Sequence, residues 1–212
     1  MAGKELINES RILEAARAGR NSISVSDKAI ITPLARDAAS KHKIRIERGP
    51  AQAGQSPILP SALKIVAIGS DHGGFEFKGM LSEHIESSGF KIVDVGTDSP
   101  RSCDYPEFAY AVSRMVGDGR AGFGIMIDGA GIGSSMVCNK VPGIRAACAY
   151  NEFTAWNARA HNNANVLTLG SRTLGIEVCK RITDVFLATA YEGGRHELRL
   201  AKMMDIEHKF SR

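Results

Sequence analysis

Between Leu63 and the C-terminus, short apolar runs alternate with amphipathic stretches, and that alternation confines the chain to a parallel α/β sheet. Lys64–Gly69, Phe90–Val95, Phe123–Ile127, Ile144–Ala149 and Asn165–Leu169 each have the length of one buried strand. Helical spacing fills the intervals: Phe75–Ser88 with Phe77, Leu81 and Ile85 on one face, Pro106–Val116, a segment after Gly133, Asn151–Ala160 and Leu174–Thr189. A last helix begins near Gly194. The expected architecture is a doubly wound parallel sheet. Such sheets bind ligands at the carboxyl ends of their strands. The motifs described below are expected to share that end.

The first part of the chain is organised differently. Residues 3–19 read as a helix with Leu6, Ile7, Leu13, Ala15 and Ala16 on a loose apolar face and Gly19 as C-cap. Ser22–Val25 reads as a short strand. Thr32 then caps a helix with Pro33 in its first position, running to about His42, and Ile44–Ile46 is extended. A unit of about 45 residues seldom buries enough surface to stand alone. It is expected to dock on the rest of the chain, a second copy or another partner. Gly49–Ser61 holds three prolines and two glycines and reads as a linker. The expected division is therefore an extension over 1–48, a linker over 49–62 and the main domain over 63–212.

Composition excludes several classes of function. The net charge of +4 is mild and the basic residues are spread, so no stripe suits a nucleic acid. No run reaches membrane length, and the N-terminal residues lack a signal-type apolar core. The four cysteines show no CxxC or Cys/His metal spacing. Cys138, Cys148 and Cys179 are expected as buried thiols in a reducing, cytoplasmic setting.

The chemistry-bearing residues cluster in loops. Asp128 ends the third strand and is followed by Gly129, Gly131 and Gly133, then Ser134 and a helix start. Glycines bring backbone N–H groups close to a ligand, and the helix N-terminus adds positive potential. A carboxylate at the lip of such a loop repels a phosphate, so Asp128 is either a general base facing another part of the ligand or a helix cap. Asp71 and His72 stand in the turn after the first strand, and Tyr105 follows the second. His161, with Asn162 beside it, closes a helix; it suits proton shuttling or a favourable place near the helix C-terminus. Arg172 follows the fifth strand. Arg195 and Arg199 lie four apart, on one helical face, as a phosphate monoester requires; the alternative is a solvated basic edge. Together these groups suit proton transfer on a phosphorylated sugar: a base, imidazoles, a phenol, amide donors and an arginine clamp.

The motifs IGSDHGGFEFK (68–78), DYP (104–106), GAGIGSSMVCNKVPGIRAA (129–147), HNNANVLTLGSR (161–172) and YEGGRHELR (191–199) resemble the ribose-5-phosphate isomerase B family, which includes the subunits of galactose-6-phosphate isomerase. The resemblance implies a Rossmann-like α/β sandwich with five parallel strands. It implies a dimer whose two sites each draw residues from both subunits, and no metal or organic cofactor; the assembly expected of this chain is a homodimer or a homotetramer. By position it assigns Asp71, His72 and Tyr105 to the sugar and His161, with Asn162, to ring opening. Gly129, Gly131 and Gly133 form the loop, and Arg172, Arg195 and Arg199 take the phosphate. Many members carry a cysteine base where this chain has Asp128, and Thr or Ser where it has Ala130. An aspartate there resembles one galactose-6-phosphate isomerase subunit, which works with a partner chain. Two functions follow: an isomerase of ribose 5-phosphate and ribulose 5-phosphate, or a sugar-phosphate-binding subunit that needs a second chain. The start of the chain and KAIITPLARDAASKHKIRI are similar to extensions on enzymes packaged in bacterial microcompartments. That similarity implies docking on shell or fellow cargo through residues 1–48, by the apolar face of the first helix.

Overall fold

The computed structural model describes residues 6–7, 9–17, 19–26, 29–49 and 64–210. The expected linker, apart from Gly49, and the expected start of the first helix lie outside the described residues. The chain forms two compact units, Met1–Ile58 with Gly194–Ile206, and Leu59–Gly193 with Glu207–Arg212. The last helix is thus divided between them, which a boundary read from linker composition does not capture.

In the first unit the elements are β1 (Leu6–Ile7), α1 (Glu9–Arg17), β2 (Ser22–Ser26), β3 (Ile30–Ile31), α2 (Pro33–Lys41) and β4 (Arg45–Gly49). This is one β-α-β pattern used twice. β1 pairs in parallel with β3, Leu6 opposite Ile30, and β2 pairs in parallel with β4, Ile23 opposite Ile46. Thr32 caps α2 as expected, its Oγ1 accepting from the Ala35 N–H at 3.2 Å, with Pro33 opening the helix. Two expectations are corrected. Leu6 and Ile7 form a strand and not helix, because they pair with an equally short partner that carries no periodic signal. The apolar face of α1 is turned inward: Ile12 and Ala15 are buried with Ile23, Val25, Ala35, Ala38, Ala39 and Ile44. Each half covers the other's apolar side, so the unit closes a core of its own.

In the second unit five parallel strands lie in the order β6-β5-β7-β9-β8: β5 (Ile65–Ser70), β6 (Lys91–Asp94), β7 (Phe123–Asp128), β8 (Ala146–Cys148) and β9 (Val166–Gly170). The helices are α3 (Phe75–Ser87), α4 (Tyr105–Gly117), α5 (Ile132–Cys138), α6 (Glu152–Asn162) and α7 (Ile176–Ala188); α8 (Arg195–Phe210) ends the chain. The central strands are buried on both faces, which is why they read as continuous apolar runs. Val66, Ile68, Ile125 and Leu167 pack with Leu81, Ile85, Ile182 and Phe186 on one side. Ala67, Met126 and Val166 pack with Ala109, Val112 and Met115 on the other. At the outer edge of β8 the Asn139 side chain accepts from the Ala146 N–H at 2.9 Å and donates to its carbonyl at 3.0 Å. Cys138 and Cys179 are fully buried, and burial pushes both thiols up to about 11. Cys148 is only half-buried, against expectation, because β8 is an edge strand. Among the described residues no helix is long and apolar enough to cross a membrane.

Candidate active site

The carboxyl ends of β5 and β7, with the loops that follow, gather most of the expected residues. β5 delivers Asp71, whose Oδ1 accepts from the N–H groups of Gly73 and Gly74 at 2.9 and 3.2 Å. That leaves Oδ2 turned toward His72, 4.0 Å from Nδ1. His72 Nδ1 sits between the N–H and the carbonyl of Cys103, at 3.3 and 3.2 Å. The segment bearing Cys103 is anchored to α3 by Lys78: its buried ammonium reaches the Thr97 carbonyl and Asp94 Oδ2, both at 2.6 Å. An open cleft of about 350 Å³ runs past His72, Glu76, Pro100, Ser171 and Arg172. Ser171 fastens its floor, with Oγ 2.6 Å from the Gly73 carbonyl and its N–H donating to the Asp128 carbonyl at 2.8 Å.

Asp128 is nearly enclosed, 5% exposed. Its Oδ1 accepts from the N–H groups of Ala130, at 2.8 Å, and Gly131. Its Oδ2 accepts from the Ser134 N–H at 3.2 Å and from the Ser134 hydroxyl. All four acceptor positions of the carboxylate are therefore engaged by its own loop and by the first turn of α5. The cap is present in full, and only the Ser134 hydroxyl is a donor that can rotate away. Cys148 stands close by, but burial first, opposed by a hydrogen bond with Thr168 and helped by the Asp128 charge, raises its thiol, which works against its use as a thiolate.

The glycines of this loop have distinct jobs. Gly131 precedes α5 at φ +79°, and a Cβ there would lie 3.0 Å from the Leu169 carbonyl carbon and from Cys148 Sγ. A Cβ on Gly133 would fall 2.6 Å from Tyr105 Cζ, so the phenol packs directly on the loop. At Gly129 the nearest atom would be Arg172 Cδ, at an ordinary 3.6 Å. Gly131→Ala is therefore expected to cost about 2–4 kcal/mol, combining left-handed backbone with a backbone clash. Gly129→Ala should be close to neutral, and thermal unfolding of the two variants side by side checks the contrast.

His161 and Asn162 do not join this end. They close α6, which runs back from β8 to the start of β9, so they lie at the amino ends of the strands. The expectation of one shared end overlooked chain direction: a motif that ends a helix sits opposite one that begins it. The His161 ring is held by Asn157 Nδ2, 2.9 Å from Nδ1, by Glu192 Oε2, 3.6 Å from Nε2, and by the edge of Trp156 at 5.0 Å. The turn after it is firmly built. Asn163 takes the left-handed conformation at φ 47°. Its Oδ1 accepts from Arg159 at 3.0 Å and its carbonyl from Arg145 at 2.8 Å. Arg159 stacks its guanidinium on Phe123 and Phe186 and donates to the Ala164 carbonyl at 2.6 Å. Burial, then the charge of Arg145, pushes Arg159 down to about 10, still protonated at neutral pH.

Arg195 and Arg199 occupy successive turns of α8 in the first compact unit, both exposed. Cys103, Ser134, Asn157, Ser171 and Glu192 were not among the residues expected from sequence. The usable signals were slight: Asn157 lies one helical turn before His161, and Ser134 falls where α5 begins.

The model of the Ribose/Galactose Isomerase family matches residues 66–203. Ribose-5-phosphate isomerase B of Escherichia coli is 40% identical over 147 residues, covering 69% of this chain and 99% of the relative. Among solved structures, ribose-5-phosphate isomerase B of Clostridium thermocellum superposes with a TM-score of 0.68 at 41% identity, covering 69% of this chain and 99% of that one. The Mycoplasma genitalium enzyme, solved with ribulose 5-phosphate bound, gives 0.66 at 40% identity, over 68% and 97% of the two chains.

Proposed function

Since this chain belongs to the ribose/galactose isomerase family and is a sugar-phosphate isomerase, we propose that it interconverts ribose 5-phosphate and ribulose 5-phosphate with Asp128 as the base. Asp128 takes the C2 proton of the open-chain aldose to give an enediolate, the O2 hydroxyl proton passes to O1, and the carbon-bound proton returns at C1, leaving the carbonyl at C2. Asp71, His72 and Tyr105 hold sugar hydroxyls; Arg172, Arg195 and Arg199 hold the phosphate; His161, with Asn162 beside it, opens the ring. The observation that carries this reading is the gathering of Asp71, His72, Tyr105, Asp128 and Arg172 around the ends of β5 and β7.

The separation of Asp128 from His161 supports a site completed by a second copy, the amino end of one chain meeting the carboxyl end of another. Ile132, Met136, Tyr150 and Phe153 fringe the carboxyl end and are each more than half exposed, which suits them to such an interface. A packaging role for residues 1–48 would use the polar surface outside their core, since the apolar face of α1 is occupied.

Turnover of ribose 5-phosphate by the purified chain tests the proposal. A second reading has its own support: with all four acceptor positions filled, Asp128 acts as a cap only and the chain is a binding subunit. Ligand binding without turnover would favour that reading.

His161→Gln has a distinct expected signature. Ribose 5-phosphate exists mainly as a ring, and ring opening proceeds slowly in water. The variant should convert the open-chain fraction in a burst and then proceed at a rate that no longer rises with enzyme concentration. A progress curve still proportional to enzyme would remove ring opening from His161.

A further inference from the structure

Lys78 stands where two physical rules oppose a cation. It lies in the first turn of α3, its N–H donating to the Gly74 carbonyl at 2.9 Å, and the positive end of a helix repels an ammonium. It also shares the buried stripe of that helix with Leu81 and Ile85, its side chain only 6% exposed, and burying a charge is costly unless partners offset the loss of water. A residue that breaks local rules in this way points to a task other than filling the core. Its ammonium reaches the Thr97 carbonyl and Asp94 Oδ2, both at 2.6 Å. Asp94 is half-exposed and has water available, so the partner that depends on Lys78 is the buried Thr97.

The ammonium thereby holds the segment that follows β6. Thr97 is fixed on both sides, its carbonyl by Lys78 and its N–H by the Ser70 carbonyl at 2.9 Å. Gly96 passes so close to β5 that a Cβ there would lie 2.5 Å from the Ser70 nitrogen and 3.0 Å from Lys78 Cδ. Further along, Pro100 lines the open cleft beside His72 and Arg172. Cys103 then closes over His72, its N–H and carbonyl 3.3 and 3.2 Å from Nδ1, nearer to the ring than Asp71 Oδ2 at 4.0 Å.

We propose that Lys78 is a positioning residue for sugar binding: by pinning Thr97 it sets the segment that carries Pro100 and Cys103, and so holds His72 where it meets the sugar. Lys78 itself touches neither the sugar nor the reacting atoms. Asp128 is held by its own loop and by α5, so binding and not proton transfer depends on Lys78. The inference rests on the proposed contact of His72 with the sugar.

The test is steady-state kinetics of the full-length protein with ribose 5-phosphate. Lys78→Met keeps the stem and removes the ammonium; Gly96→Ala displaces the same segment and leaves the ammonium in place. Loss of one sugar hydrogen bond corresponds to a rise in KM of about fivefold to tenfold with kcat within about twofold, and that is expected of His72→Ala, Lys78→Met and Gly96→Ala alike. The decisive reading is the double variant. Because Lys78 acts through His72, adding Lys78→Met to His72→Ala should raise KM by less than about twofold more. A role in packing alone would multiply the two effects, and that result overturns the proposal. So does an unchanged KM in Lys78→Met, or a kcat that falls with the rise. Should Lys78→Met fail to fold, Gly96→Ala takes its place in the same comparison. If His72→Ala leaves KM unmoved, the sugar contact of His72 itself fails, and a rise in Lys78→Met beside it refutes the path through His72.

Discussion

Co-production of the Asp128→Asn and His161→Gln variants should restore about a quarter of the unmodified rate from two chains that are each strongly impaired on the ring form, because a two-fold dimer with shared sites sorts the defects unevenly. In a mixed dimer one site receives both substituted residues and is dead. The other receives Asp128 from one chain and His161 from its partner and is intact. Random assembly makes about half of the dimers mixed, each with one of its two sites working. The two residues lie at opposite ends of the sheet: Asp128 closes β7 at the carboxyl end, and His161 leads into β9 at the amino end. Differently tagged chains, purified through both tags, should raise the recovered fraction to about half, since every dimer is then mixed. A mixture no faster than its components would place the whole site within one chain.

Asp128→Asn alone is expected to lower kcat for ribose 5-phosphate by about 10²–10⁴, the span usual for loss of a general base. The same substitution should also lower stability. The carboxylate receives two donors on each oxygen. An amide must present its NH₂ to one of those pairs. On the Ser134 side the hydroxyl can turn to accept, but the Ser134 N–H is left facing a donor. One orphaned buried N–H costs about 1–3 kcal/mol, read as a drop of several degrees in Tm. The two effects separate the two roles of Asp128. Lost turnover together with lowered Tm fits a base that is also a cap. Lowered Tm with turnover intact would make Asp128 a cap alone and send the search for the base elsewhere.

Much of the fold was legible because its strands are buried on both faces and therefore spelled as unbroken apolar runs; Phe123–Asp128 was read to within one residue. Thr32–Pro33 was equally plain, since capping is local chemistry. The two-residue strands at Leu6 and Ile30 were not legible, being too short for any period and defined only by each other. The apolar face of α1 was read only in part, Ala15 being buried as expected and the fully buried Ile12 missed, and it was read as available, because periodicity reports a face that must be covered and not what covers it. The loop residues were found from their chemistry. Asn157 and Ser134 were not, since an amide or a hydroxyl in a helix means nothing until a ring or a carboxylate is seen beside it.

The Asn139 side chain at the outer edge of β8 has a consequence for the protein at high concentration. A sheet edge normally offers a row of unpaired N–H and C=O groups on which a strand from another molecule can grow. Here the Ala146 pair is already taken by an amide from the same chain, in the arrangement a further strand would use. β8 is only three residues long, so one side chain blocks much of that edge. Copies of this protein that meet along β8 are thereby kept from extending the sheet through that edge.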